Sequence, residues 1–206
     1  MKIKDRAWFP VFYMFAATLV LSSILILFGA FTKQRVKNNE QLAFERAVLE
    51  ALNVDITGYS PARIHDQYVQ AVRVMDTQRP EVFAFYENNQ LIGYALPLSG
   101  PGFWSLIKGV IGIAADTSTI IGLSFYEQNE TPGLGGEIIK PLFRDQFNGK
   151  KIARTGIPIE FRMSTAELSE NSVHMITGAT QTSTRLGKFL NNQLAVWRDQ
   201  MKTGDR

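Results

Sequence analysis

The sequence contains no cysteine among its 206 residues. This absence excludes disulfide bonds, thiolate zinc sites, iron–sulfur clusters and a cysteine nucleophile. Histidine is scarce as well, with only His65 and His174, so a histidine-rich metal site is not expected. Charged residues make up 20% of the chain and hydrophobic residues 45%, a composition typical of folded rather than disordered proteins.

The formal net charge of +3 has a local origin. Six basic residues flank a single apolar stretch near the N-terminus: Lys2, Lys4, Arg6, Lys33, Arg35 and Lys37. Outside residues 1–37, acidic side chains slightly outnumber basic ones. Nucleic-acid binding needs a basic surface that neutralises phosphates, so this charge distribution argues against it.

The apolar stretch, residues 7–32, contains no charged side chain. It is longer than the roughly 20 apolar residues that a membrane-spanning helix needs. A cleaved signal peptide is the alternative, but the bulky Phe28 stands where cleavage requires a small residue. We therefore predict a retained transmembrane helix over residues 7–32, preceded by a short cytoplasmic head at residues 1–6.

The charges around this span do not decide its orientation, because three basic residues lie on each side. The short head and the large following domain favour a signal anchor that places the domain outside the cytoplasm. We expect residues 33–80 to form a helical stalk and the N-terminal part of the exported domain. Residues 81–206 are expected to form the remainder of that domain.

Hydrophobic patterning beyond the span predicts an α+β fold with mostly antiparallel sheet and packed helices. Two β-hairpins are predicted, one turning at Asn88-Asn89 and one at residues 116–119. Helical stripes predict helices at Gln41–Asn53 and Thr182–Met201, of which the second is the clearest. The other predicted elements are strands Val82–Tyr86, Leu91–Leu96, Val110–Ala115, Ile120–Glu127 and Ile159–Met163, and a helix at Ile138–Phe147 that is interrupted near Pro141.

Three glycine-rich loops join these predicted elements. Glycine lets the backbone approach a ligand closely, and hydroxyl side chains accompany the glycines in each loop. We call them the first loop (Ser99–Trp104), the second loop (Glu130–Gly136) and the third loop (Thr177–Ser183).

The third loop directly precedes the clearest predicted helix. A helix N-terminus offers unpaired N–H groups and a positive dipole end to an anion, and Gly178 and Ala179 leave space beside them. Thr182 or Ser183 could equally be an ordinary N-cap. From the residues alone, phosphate binding and simple capping both remain open.

The loops belong to an ordered set of motifs. These are Glu130-Thr131-Pro132-Gly133-Leu134-Gly135, then Phe143-x-x-Gln146-Phe147-x-Gly149-Lys150, then Thr177-Gly178-Ala179-Thr180-x-Thr182-Ser183. Their order and spacing resemble the FMN-binding domain family, over roughly residues 82–197. Within that family, Gly100-x-Gly102-Phe103-Trp104-Ser105 is similar to a segment of the C-subunit of the Na⁺-translocating NADH:quinone oxidoreductase. The G-subunit of the Rnf complex is the alternative, because the chain is short for the former.

The resemblance implies a covalent cofactor. FMN would be joined through its phosphate to the hydroxyl of Thr180, by a separate flavin transferase that uses FAD and Mg²⁺. The other residues that the resemblance places around the flavin are Trp104, Glu130, Thr131, Gly133, Leu134, Gly135, Thr177, Gly178, Ala179 and Thr182. It implies no catalytic residue and no metal ligand. Glu130 is the one carboxylate in these loops, so we expect it to act on the charge of the flavin.

The same resemblance implies a function. The protein would relay electrons within an ion-translocating NADH:quinone oxidoreductase of the bacterial inner membrane, beside partner subunits that carry flavins and an iron–sulfur centre. Its FMN-binding domain, residues 81–206, would lie on the periplasmic side. The alternatives are an exported flavin-binding module without redox function and a purely structural exported protein.

One position departs from the family pattern. His174 stands where the family has an aspartate, three residues before the third-loop motif. Histidine supplies neither a negative charge nor a preferred Mg²⁺ ligand. We expect the transferase to tolerate His174, since the remaining motif is intact; inefficient attachment and a noncovalent flavin are the alternatives. The sequence is equally compatible with His174 being an ordinary half-buried residue of a strand.

Overall fold

The computed structural model describes residues 8–75 and 81–204, and the chain divides into two compact units, Met1–Gln41 and Leu42–Arg206. The helices are α1 (Phe9–Ala51), α2 (Pro61–Ala71), α3 (Pro141–Arg144) and α4 (Thr180–Gly204). The strands are β1 (Val72–Met75), β2 (Val82–Glu87), β3 (Gln90–Pro101), β4 (Leu106–Ala114), β5 (Ile120–Glu127), β6 (Glu160–Arg162) and β7 (Ser172–His174). Two 3₁₀ turns, Gly135–Ile139 and Asp145–Phe147, flank α3.

Helix α1 begins in the first unit and ends in the second. Among residues 8–75 and 81–204, it is the one helix long and apolar enough to span a membrane. The sequence predicted a separate helix from Gln41 onward, but the structure has a single helix through Ala51. This correction has a simple cause, because neither glycine nor proline interrupts residues 30–51.

Strands β1 to β5 form an antiparallel sheet in chain order. Both predicted hairpins are confirmed: β2 pairs with β3, and β4 pairs with β5. Asn88 and Asn89 have positive φ angles of 49° and 63°, as a two-residue hairpin turn requires. Strands β6 and β7 form a separate parallel pair. The predicted α+β class with mostly antiparallel sheet is therefore confirmed.

Helix α2 and strand β1 were not predicted. Ser60 caps α2 by accepting a hydrogen bond from the Arg63 N–H, and Pro61 occupies the first turn, where proline costs little. The amphipathic stretch that follows buries Ile64 and Ala71. Proline can end a helix or occupy its first turn, and Pro61 does the latter in α2.

Helices cover both faces of the five-stranded sheet. On one face, the C-terminal end of α1 and the whole of α2 pack against β2, β3 and β4. There α1 buries Val48 and Leu49, and α2 buries Ile64. Gly112 and Gly122 pair across β4 and β5, and a Cβ atom on either would overlap the Ala51 carbonyl. The end of α1 therefore lies directly on the sheet backbone.

Helix α4 covers the opposite face. Its apolar stripe is buried as predicted, at Leu186, Leu190, Leu194 and Trp197. The Asn191 side chain also bonds both the N–H and the carbonyl of Ile159, at 2.8 Å each. Packing on the sheet thus fixes α4 and, with it, the position of its N-terminus.

Candidate functional site

The three glycine-rich loops converge on one cavity of about 380 Å³, a volume within the range of small-molecule sites. Its lining residues are Phe103 and Trp104 from the first loop, Glu130, Thr131, Leu134 and Gly135 from the second, and Gly178, Ala179, Thr180, Gln181 and Thr182 from the third. Loops separated by tens of residues in the sequence therefore share one site. We call it the loop cavity.

Glu130 joins the three loops. It is only 4% exposed, and its Oε1 atom accepts hydrogen bonds from the backbone N–H groups of Trp104 (2.9 Å) and, more weakly, Ser105 (3.5 Å). Its Oε2 atom accepts a 2.6 Å hydrogen bond from the Thr182 hydroxyl. A buried carboxylate is costly unless it is hydrogen-bonded, and here loop residues supply those bonds.

Gly102 and Gly135 pack against this carboxylate. A Cβ atom on Gly102 would overlap Glu130 Oε1, and one on Gly135 would lie 2.8 Å from Oε2 and 2.5 Å from the Thr182 Oγ1 atom. The loop glycines were expected to leave space for a ligand. At these two positions Glu130 occupies the place that a Cβ atom would take, and Gly135 also lines the loop cavity.

The hydroxyl groups of the third loop differ in their exposure to solvent. Helix α4 begins at Thr180, so neither Thr182 nor Ser183 is its N-cap, and that alternative is wrong. Ser183 is fully buried, and its hydroxyl accepts a hydrogen bond from the Ile176 N–H at 3.1 Å. Thr182 is 4% exposed and bonded to Glu130, whereas Thr180 is exposed. Gly178 turns the chain into the helix with a φ of +81°, a conformation that favours glycine.

Trp104 lies at the surface of the loop cavity. It is 69% exposed, so it is not a core residue. Its indole N–H donates a 3.0 Å hydrogen bond to the Thr131 hydroxyl, and the Phe103 ring meets it edge-on with centroids 5.1 Å apart. The first and second loops are thus also linked through a side chain that borders the cavity.

Two of the predicted residues lie elsewhere. Gly133 and Thr177 line a second cavity, of about 520 Å³, together with His174. Conversely, Phe103 and Gln181 line the loop cavity although neither was predicted as a flavin-binding residue. Their adjacency to Trp104 and Thr180 was the available signal.

His174 is a half-buried residue of β7. Its backbone N–H donates to the Gln146 side chain at 2.8 Å, and its Nε2 atom lies 2.9 Å from the Ala166 carbonyl oxygen. Phe143 and Phe147 are core residues. The middle motif therefore supports the strand that leads into the third loop and does not itself line the loop cavity.

The electrostatics of the loop cavity are simple. Among the described residues that line it, Glu130 alone is ionisable, and all its hydrogen-bond donors there are neutral. The cavity lining thus offers an anionic group the backbone N–H groups at the start of α4. Arg185 stands just outside the lining, with its guanidinium carbon 5.8 Å from the centroid of the Phe103 ring.

Residues 102–195 match the profile of the FMN-binding domain family. Over 113 residues the chain is 35% identical to the Na(+)-translocating NADH-quinone reductase C-subunit of Neisseria meningitidis, covering 54% of this chain and 42% of that protein. The same-named protein of Vibrio campbellii is 40% identical over 113 residues, or 53% and 41% of the two chains. The matched region thus spans less than half the length of these curated relatives.

Solved structures cover more of the fold. The Na(+)-translocating NADH-quinone reductase C-subunit of Parabacteroides distasonis superposes with a TM-score of 0.69 at 26% identity, covering 79% of this chain and 93% of that one. Shewanella oneidensis NqrC shares the fold, with a TM-score of 0.66 at 19% identity over 82% and 99% of the two chains. The resemblance to the FMN-binding domain family is therefore confirmed, and residues 102–195 are the part of the chain that carries it.

Proposed function

We propose that this chain is a membrane-anchored carrier of FMN, similar to NqrC, that relays electrons within a Na⁺-translocating NADH:quinone reductase. The observation that carries the proposal is the convergence of the first, second and third loops on one cavity with an exposed threonine, Thr180, at its edge. The family match and the relatives in Neisseria meningitidis and Vibrio campbellii support the same assignment. The G-subunit of the Rnf complex is the alternative, and those relatives favour the reductase over it.

The residues of the loop cavity fit FMN. Trp104, Phe103 and Leu134 offer apolar surface for a flat ring, and the Thr180 hydroxyl and the start of α4 offer a place for a phosphate. FMN, once bound, supplies the redox chemistry, while the protein binds, orients and shields it. In this role Trp104 and Leu134 would contact the flavin ring, and Glu130 would hold the loops that carry these residues through its hydrogen bonds.

Burial selects Thr180 among the hydroxyls of the third loop. Thr182 and Ser183 are buried and bonded within the protein. Thr177 is exposed but lines the second cavity, whereas Thr180 is exposed and lines the loop cavity. We propose that a flavin transferase attaches FMN here. The Thr180 oxygen forms a bond to the FMN phosphorus of FAD, the phosphoanhydride bond breaks, AMP leaves and the hydroxyl proton is released.

The attachment is tested by co-expressing the chain with a flavin transferase and viewing a denaturing gel under ultraviolet light. We expect fluorescence that survives denaturation in the wild type and disappears in Thr180→Val. The matched control is Thr177→Val, which removes the other exposed hydroxyl of the loop and should stay fluorescent. Fluorescence retained in Thr180→Val would overturn the assignment, and its loss in Thr177→Val at the same time would move the attachment to Thr177.

The electron relay needs a separate test. In membranes of the native host, NADH should reduce the flavin of the wild-type protein and quinone should reoxidise it. A flavin that stays oxidised while NADH oxidation proceeds would instead identify a binding module without redox function.

The proposed topology places residues 7–32 in the inner membrane, with residues 33–80 and the FMN-binding domain on the periplasmic side. The absence of cysteine makes this testable with one substitution. Thr165→Cys introduces a single thiol at an exposed position. We expect a membrane-impermeant maleimide to label it in intact cells; labelling only after lysis would place the domain in the cytoplasm.

A further inference from the structure

Glu130 is a nearly fully buried ionisable group beside the loop cavity, and both of its oxygens are engaged by the protein. We propose that Glu130 and Thr182 are positioning residues, whose hydrogen bond holds the three loops in the shape that accepts flavin before flavin arrives. The inference rests on the proposed function, since it concerns the same cavity. It differs from the expectation that Glu130 acts mainly through its charge.

The surroundings of Glu130 leave little room for it to serve as a flavin ligand. Gly102 closes on Oε1 from one side, and Gly135 closes on Oε2 from the other. Each oxygen also accepts a hydrogen bond, Oε1 from the Trp104 N–H and Oε2 from the Thr182 hydroxyl. Glu130 therefore acts on a bound flavin through the loops that it joins.

The connections form a closed path. Thr182 lies in the first turn of α4, two residues after Thr180, and its hydroxyl donates to Glu130 of the second loop. Glu130 accepts from the Trp104 backbone of the first loop, and the Trp104 indole donates back to Thr131 of the second loop. The helix turn that carries Thr180 and the exposed Trp104 ring are thus fixed relative to one another through a single carboxylate.

Geometry and charge can be separated at this site because every donor is neutral. In Glu130→Gln, the amide oxygen can still accept from the Trp104 N–H. The amide NH₂ group can donate to Thr182, because a hydroxyl oxygen also accepts hydrogen bonds. Glu130→Gln therefore keeps the connections and removes the charge, whereas Glu130→Ala removes both. Thr182→Ser keeps the hydroxyl, and Thr182→Val removes it.

The experiment uses the full-length protein in detergent micelles. Two quantities are measured for each variant: amide hydrogen exchange at Trp104 and Ser105 before flavin is added, and the rate of covalent flavin incorporation with purified transferase, FAD and Mg²⁺. We expect Thr182→Val and Glu130→Ala to exchange faster at these amides and to incorporate flavin about tenfold more slowly or worse, a change equivalent to the loss of one buried hydrogen bond. Thr182→Ser and Glu130→Gln should behave like the wild type.

Thr184→Val is the matched control, because Thr184 is exposed on the same helix turn and should change neither quantity. Wild-type exchange and incorporation in Thr182→Val would overturn the inference. So would a Glu130→Gln variant as slow as Glu130→Ala, because charge would then matter more than position. If the wild type itself incorporates no flavin, the proposed function fails, while the exchange data still show whether the pair orders the loops.

Discussion

Two buried carboxylates, one on each side of the sheet, are stabilised in different ways. Glu130 bonds to α4, which covers one face, and its donors are backbone N–H groups and a hydroxyl from distant loops. Glu45 belongs to α1, which covers the other face. It is 2% exposed and lies 2.9 Å from His65 of α2, whose side chain is 50% exposed. The first carboxylate defines the shape of a cavity, whereas the second joins two helices of a packing layer.

The largest effects are expected at fully buried residues of the two helical layers. Leu190 of α4 and Ile64 of α2 are both fully buried. We expect Leu190→Ala and Ile64→Ala each to lower the free energy of unfolding of the second unit by about 3 kcal/mol, because each leaves a cavity. Urea denaturation in detergent measures the loss. Val196→Ala, at a half-exposed position of α4, should cost little, and an equal cost there would contradict the packing argument.

The next effects separate the two carboxylates. Thr182→Val leaves Glu130 Oε2 buried without its hydroxyl donor, so we expect a loss of about 2 kcal/mol in unfolding free energy. His65→Ala should cost less, about 1 kcal/mol, because the His65 side chain is half exposed and water screens its interaction with Glu45. Denaturation curves of the two variants decide the order. A larger loss in His65→Ala would reverse the comparison.

A smaller effect isolates the charge of Glu130. A negative charge beside a flavin opposes the addition of electrons, so Glu130→Gln should raise the midpoint potential of the bound flavin. We expect a rise of about 30 mV, which corresponds to about 1.4 kcal/mol for two electrons. Spectroelectrochemical titration of the loaded protein measures it. An unchanged potential would leave Glu130 with its positioning role alone.

The smallest effect belongs to the Glu45 side. Burial raises the pKa of Tyr68 to about 12, and the nearby carboxylates of Glu45 and Glu81 add to the rise. Because this pKa lies above the ordinary tyrosine value of 10.0, the associated stability is present below pH 10 and is lost as the pH rises toward 12. Glu45→Gln should lower the pKa of Tyr68 slightly, since burial is the larger cause. Absorbance titration of tyrosinate, with Tyr68→Phe to assign the signal, tests this.

Much of the fold was predictable because its determinants are local. The Asn88-Asn89 turn specifies its hairpin, and the apolar stripe from Leu186 to Trp197 specifies α4. Helix α2 was missed because Pro61 can end a helix or begin one, and the capping contact of Ser60 decides which. The sequence pattern shows where a helix or strand can begin or end, but contacts in the folded protein decide which of the two occurs.

The site was predictable in its members but not in its connections. The motifs identified Glu130, Thr180 and Thr182 as neighbours of a flavin, and the structure brings all three to one cavity. The bond between Glu130 and Thr182 joins residues 52 positions apart, and no local rule specifies such a contact. The packing of Gly102 and Gly135 against Glu130 could not be predicted for the same reason, since their neighbour is distant in the sequence.

The close packing of Gly102 and Gly135 against Glu130 constrains how this domain can change. A methyl group at Gly102 would have its shortest contact with Glu130 Oε1, which a shorter acid at position 130 would relieve, whereas one at Gly135 would also overlap the Thr182 Oγ1 atom. A shorter acid withdraws from its donors unless the loops move inward. Substitutions at these three positions are therefore interdependent. A double variant that pairs Gly102→Ala with Glu130→Asp should be less damaging than the two single changes added together.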